Sequence, residues 1–280
     1  MHRLWLIEEN GPEAPAGATV IRVRREADRE GTVRGLERQL ADVGDLAAVE
    51  EIVCAGGSAL VGEVVDALDA QGVDAGAPVW RYAGPEAPDA LCASLGLPMR
   101  RSERLALEGG GERVIPLVRV DAAACPGPRH GFSVGFGAAA PLMAEVEQGG
   151  ISLVGFLRGA RAALQPAEDI PAPGGLMLDG APIAEDARLL VVSSLGLPGA
   201  VARWLGRDEG GEGAVRAWLS EVRLGELSTL LGGAPLESVR LGMLTVERAG
   251  RFALDGLWLD GEGLPVEVRP GPSLRFRVRG

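Results

Sequence analysis

The strongest constraint on the fold is the alternation of short apolar runs with amphipathic segments over the first hundred residues. Leu4–Glu8, Ala18–Arg24, Glu51–Ala55 and Pro78–Tyr82 have strand length and strand composition. Glu30–Val43 has the pattern of a helix. Leu60–Leu68 places Leu60, Val61, Val64, Val65 and Leu68 on one helical face. Pro88–Leu95 predicts a third helix, stopped by Gly96 and Pro98. Strands alternating with helices imply a parallel sheet with covered faces.

From about Arg113 the texture changes. Val114–Val120, Phe132–Phe136, Leu176–Gly180, Arg188–Ser194, Val239–Arg248, Arg251–Glu262 and Ser273–Val278 are strand-like, punctuated by Gly and Pro at short intervals. That is the pattern of an antiparallel sandwich. Two stretches, Ile151–Leu164 and Ala214–Leu231, carry helical apolar stripes. The shift places a boundary near Pro98–Gly111, with Gly109–Gly111 as the connector. Two domains are expected, 1–105 and 106–280, leaving open that the last strand packs back on the first.

Composition then removes mechanisms. All 28 basic residues are Arg. Without Lys there is no P-loop, no protein-kinase strand Lys and no Schiff base. The two histidines, His2 and His130, cannot build a multi-His zinc site, and no metal site is expected. A net charge of −11 argues against a nucleic-acid partner. Arg275, Arg277 and Arg279 alternate with Leu274, Phe276 and Val278, which reads first as a solvated strand face and second as an anchor for an acidic membrane surface. Cys54, Cys92 and Cys125 form no CxxC and are odd in number, as expected of free thiols in a reducing compartment. With no leader-like opening and no 18-residue apolar run, the expectation is a cytoplasmic protein with at most peripheral membrane contact. Cys54 is expected to be a small core residue, and His130 a structural or surface one. Trp204 and Trp218 are expected in helix packing rather than in an acyl pocket.

Two segments carry a resemblance. EEIVCAGGSALVGEVVDAL (50–68) leads on to YAGPEAPDALCASLGLP (82–98), and the chain closes with LWLDGEGLPVEVRPGPSLRFRV (257–278). Together they resemble the diacylglycerol kinase catalytic-domain family, which includes bacterial lipid kinases and the sphingosine and ceramide kinases. HGFSVGFGAAAPLMAEV (130–146) and APIAEDARLLVVSS (181–194) are similar to that family's later segments, collinear with the rest. The resemblance implies an α/β nucleotide-binding-like domain followed by an antiparallel β-sandwich, as in lipid kinases and NAD kinases. It also implies a lipid or amphipathic small molecule meeting ATP and Mg2+ in the interdomain cleft.

The family's phosphate turn, GGDGT, is Gly56-Gly57-Ser58-Ala59-Leu60 here. Its two leading glycines remain, where backbone N–H groups and the next helix N-terminus would face phosphate. Leu60 replaces a hydroxyl that could meet phosphate or its water shell. Glu63 stands at the position of the family's helix Glu. The second nucleotide loop, GTGNDFAR in the family, aligns with Glu86–Ala93, where Pro88 removes a donor. Asp208-Glu209-Gly210 is the nearest counterpart of the acidic motif that holds magnesium and supplies the base, against the alternative of a solvated loop. Asp260-Gly261-Glu262 matches a segment that the family places near the nucleotide. With Asn10 as the single asparagine, the family's asparagines cannot be present.

By the resemblance, then, Gly56, Gly57, Ser58, Glu63, Asp260 and Glu262 are the nucleotide-side residues, and Asp208 and Glu209 the catalytic ones. Phosphoryl transfer depends on positioning and electrostatic stabilisation, so these losses predict a lipid-kinase-like protein with weak or no kinase activity. The alternatives are an active divergent lipid kinase using ATP and Mg2+, and a non-catalytic subunit with a protein partner or as a homodimer.

Overall fold

The computed structural model describes residues 2–26, 28–107, 110–149, 173–186, 189–195, 214–220 and 237–279. It divides into two units, Met1–Ile115 with Pro272–Gly280, and Pro116–Gly271.

The first unit opens with β1 (Arg3–Glu8) and β2 (Thr19–Val23), then α1 (Arg29–Ala41). β3 (Glu51–Ala55), α2 (Ser58–Ala70), β4 (Val79–Tyr82) and the short helices α3 (Ala90–Ser94) and α4 (Arg101–Leu105) follow. The strands pair parallel in the order β2-β1-β3-β4. All five residues of β3 are buried, which is why this run is apolar without alternation. Asp28 caps α1 by accepting from the Gly31 N–H at 2.6 Å. Arg29 of α1 pairs with Asp66 of α2 at 2.9 Å, both buried. Residues Ser58 through Leu68 of α2 are buried all round, as expected of a helix enclosed on every side.

The second unit is antiparallel. After β5 (Gly111–Ala122) come β6 (Arg129–Gly131), β7 (Ser133–Gly137) and α5 (Ala139–Gly149). β8 (Gly174–Leu178), β9 (Ala181–Asp186), β10 (Leu189–Ser193), β11 (Arg216–Ser220) and β12 (Glu237–Arg240) follow. The chain ends with β13 (Leu244–Arg248), β14 (Arg251–Leu254), β15 (Leu257–Asp260) and β16 (Val266–Val278). One sheet runs β12-β11-β10-β7-β14-β15. The other contains β9-β8-β13 with the start of β16. Their inner faces share one core: Leu176, Val246 and Val266 from one sheet, Phe136, Leu190 and Phe252 from the other. Phe136 and Phe252 stack at 5.1 Å. The last residues of β16 belong to the first unit, where Arg275 and Phe276 pair parallel with Val79 and Trp80 of β4.

The architecture is α/β plus all-β, but three local expectations need correction. Arg216–Ser220, inside the expected helix 214–231, is strand β11, paired with β10 and β12. Val215 and Ala217 are buried on alternate positions, and this period of two prevails over the helical stripe. Residues 221–231 and the expected helix 151–164 lie outside the described residues. The run 239–248 breaks at Leu241–Met243 into β12 and β13, which join different sheets. The run 251–262 is a hairpin, β14 to β15, turning at Asp255 (φ 46°) and Gly256 (φ 76°).

Candidate functional site

The carboxyl ends of the parallel strands converge on the turn between β3 and α2. Gly57 is the N-cap of α2 and, lacking a side chain, offers no cap of its own. Two carboxylates from elsewhere supply it. Glu8, at the end of β1, accepts from the Gly57 N–H at 3.3 Å. Asp89, the N-cap of α3, accepts from the Ser58 N–H at 3.1 Å through one oxygen and from the Cys92 N–H at 2.9 Å through the other. The Tyr82 hydroxyl, at the end of β4, donates to the Asp89 oxygen that Ser58 uses. The positive end of α2 therefore faces two carboxylates of its own chain.

Gly56 is required by this closure. A methyl group there would lie 2.7 Å from Glu8 Cδ and 2.7 Å from Leu60 Cδ2. Arg25, just beyond β2, holds Glu8 in place at 3.0 Å and donates to Glu63 with another nitrogen. Glu63 is fully buried, and its Oε1 has no hydrogen-bond partner. Burial pushes the Glu63 carboxyl up to about 7 against the pull of Arg25 and Arg29. Burial likewise raises Asp89, against the hydrogen bonds that favour its anion. It raises the Tyr82 hydroxyl, with Asp89 adding to the shift, and the Cys54 thiol under the turn. Cys54 is fully buried, as expected of a core residue.

The second loop is clamped from below. The buried Arg104 guanidinium donates to the carbonyls of Ala83, Pro85, Pro98 (2.9 Å) and Met99 (2.8 Å). Gly84 (φ 65°) passes close over Cys92, where a methyl would sit 2.6 Å from Sγ.

Of the residues singled out in the sequence, Gly56, Gly57, Ser58 and Glu63 come together here. Asp260 and Glu262 belong to the second unit, at the exposed turn after β15, where Asp260 accepts from the Glu262 N–H at 2.9 Å. Asp208 and Glu209 lie outside the described residues. His130 is buried. Sequence reasoning missed Glu8, Arg25, Tyr82 and Asp89. A visible signal existed for two of them: a carboxylate closing an apolar strand, and an Asp one residue before a helix start. Another buried carboxylate, Asp255 in the second unit, accepts from the Phe132 and Ser133 N–H groups at 2.9 Å and keeps the β6–β7 junction satisfied. Among the described residues no three His, Cys, Asp or Glu side chains group as metal ligands.

Solved structures share this arrangement of elements. A diacylglycerol kinase from Bacillus anthracis str. Sterne matches with a TM-score of 0.57 and 14% identity, over 99% of this chain and 97% of that one. A structure described as "a putative diacylglycerol kinase" from the same organism matches at 0.60 and 14%, over 99% and 97%. A second so described matches at 0.59 and 12%, over 99% and 95%. The fold is that of the diacylglycerol kinases. No family model and no curated protein matches the sequence. Within this diacylglycerol-kinase fold, the turn's own residues do not fit a nucleotide phosphate. The N–H groups of Gly57 and Ser58 are engaged by Glu8 and Asp89, and Leu60 lies against Gly56.

Proposed function

We infer that this chain is a lipid-kinase-like protein that binds a lipid or amphipathic metabolite without efficient ATP-dependent phosphoryl transfer. The observation that carries the reading is the pair of carboxylates on the α2 N-terminus. In this fold the turn after β3 is where backbone donors and a helix dipole would attract a phosphate. Here both donors already serve anions, and an incoming phosphate would meet their charge. Two like charges 4 Å apart at an effective dielectric of 20 repel by about 4 kcal/mol, more than one neutral backbone donor returns. Displacing Glu8 also breaks its ion pair with Arg25.

Among the described residues no helix is long and apolar enough to cross a membrane. A cytoplasmic protein that meets its ligand in water or at a membrane surface is consistent with that. Calorimetric titration with Mg·ATP is expected to show no binding in the micromolar range. Micromolar affinity, or transfer of radiolabelled phosphate to diacylglycerol, would overturn the reading. Organic extraction of the purified protein followed by mass spectrometry is expected to release a bound amphiphile.

A further inference from the structure

The end of β2 and one side of α1 enclose a groove of about 550 Å3 within the first unit. Val23 and Leu36, both buried, give it an apolar base. Hydrogen bonds fix its walls at both ends. At one end the Glu26 N–H donates to the buried Thr32 hydroxyl at 3.1 Å, and that hydroxyl donates to the Asp28 carbonyl at 3.3 Å. At the other, the Gln39 side-chain amide donates to the Arg22 carbonyl at 3.4 Å and ties the last turn of α1 to the strand. Gly31 and Gly35 stand one turn apart on the helix wall. A methyl group on Gly35 would meet nothing within 4 Å, so the helix backbone lies open to the groove there.

Cations gather around this space. Arg24, one residue past β2, and Arg34 and Arg38, one turn apart on α1, all line it. The Arg38 Nε–H donates to the Arg34 carbonyl at 3.2 Å, which keeps the two arginines together. None of the three forms an ion pair among the described residues. Two acids share the lining: Glu26, and Asp28, which is committed to the Gly31 N–H at 2.6 Å. Like charges at i and i+4 destabilise a helix, and an anion placed between them reverses the sign of that interaction. Guanidinium forks suit the paired oxygens of carboxylate and phosphate groups. A space of this volume takes a ligand of metabolite size.

We propose that this groove binds a small free organic anion carrying two or more acidic groups, held by Arg24, Arg34 and Arg38. It shares no residue with the turn after β3, so it stands whether or not the lipid-kinase-like reading holds.

The test titrates the full chain in low-salt buffer by calorimetry with citrate and with glycerol 3-phosphate, using glycerol as the uncharged control. At least one of the two anions is expected to bind with a Kd below about 1 mM. The Arg34→Gln/Arg38→Gln double variant is expected to weaken binding by about tenfold or more. Gly35→Leu keeps every charge but fills the groove, and it is expected to weaken binding by a similar factor. Binding that survives Gly35→Leu unchanged is surface charge alone and overturns the proposal, as does a folded double variant that binds like wild type. Failure of both anions to bind also overturns it, including the case in which flotation finds binding only to vesicles containing phosphatidic acid. If Gly35→Leu lacks a cooperative melting curve, the double variant decides.

Discussion

The two edges of the parallel sheet invert the usual electrostatics of such a layer. At the carboxyl edge, where strand ends and the α2 N-terminus attract anions, the chain has installed Glu8, Asp89 and the buried Glu63, with Arg25 the cation between Glu8 and Glu63. At the amino edge, Arg3, Arg81 and Arg277 gather on the buried Glu51. The difference shows that strand register, which sets the residues meeting at each edge, decides whether an edge is lined by acids or by arginines. Backbone N–H groups at the turn are satisfied by carboxylates from within the chain, whereas at the other edge Arg81 and Arg3 serve one buried carboxylate.

The sharpest way to break this comparison is to open the closed edge. Asp89→Ala removes the α3 cap and leaves the Ser58 N–H and Tyr82 hydroxyl without their buried acceptor. A loss of about 3 kcal/mol or more is expected in urea denaturation, with Asp89→Asn less damaging.

Glu63 gives an effect of similar size that depends on pH. Its folded value of about 7 lies above its ordinary 4.5. The folded state therefore holds a proton that the unfolded state releases between these values. Its contribution is fully present below pH 4.5 and is lost as pH rises through 7. The amplitude is up to about 3 kcal/mol. Urea midpoints measured from pH 4 to 8 are expected to show this decline in wild type and a flatter profile in Glu63→Gln.

Gly56→Ala drives a methyl into Glu8 and Leu60, at an expected cost of about 2 kcal/mol, and displaces Glu8 from the turn. The smallest stability change, about 1 kcal/mol or less, is expected for Glu8→Ala, because the Glu8–Arg25 pair is a third exposed. That variant sharpens the contrast most directly. With the Gly57 N–H released, affinity for inorganic phosphate at the carboxyl edge is expected to rise by about tenfold. Unchanged affinity would mean that Glu8 does not close the site.

Much of the scaffold was legible because it is local. An unbroken apolar EIVCA followed by two glycines and an apolar helix predicts a buried strand, a tight turn and an enclosed helix without any long-range information. The same local logic failed at Arg216–Ser220. A helical stripe and a strand alternation coexist there, and pairing with β10 and β12 decides between them. The site was half legible for a related reason. Gly56 and Gly57 announce a turn, but the groups that fill it are 49 and 31 residues away in sequence.

The sequence by itself determined the order of elements in the first hundred residues, the covered parallel layer, the sandwich texture and the loss of the asparagines and of the hydroxyl at Leu60 expected at a phosphate turn. These follow from periodicity and from which side chains exist at all. Only the tertiary structure decided that Glu8 and Asp89 serve the α2 N-terminus and that Arg3, Arg81 and Arg277 share Glu51. Charge balance at each edge is set by strand register, which brings distant residues onto one face, and register is a property of paired strands rather than of any one segment.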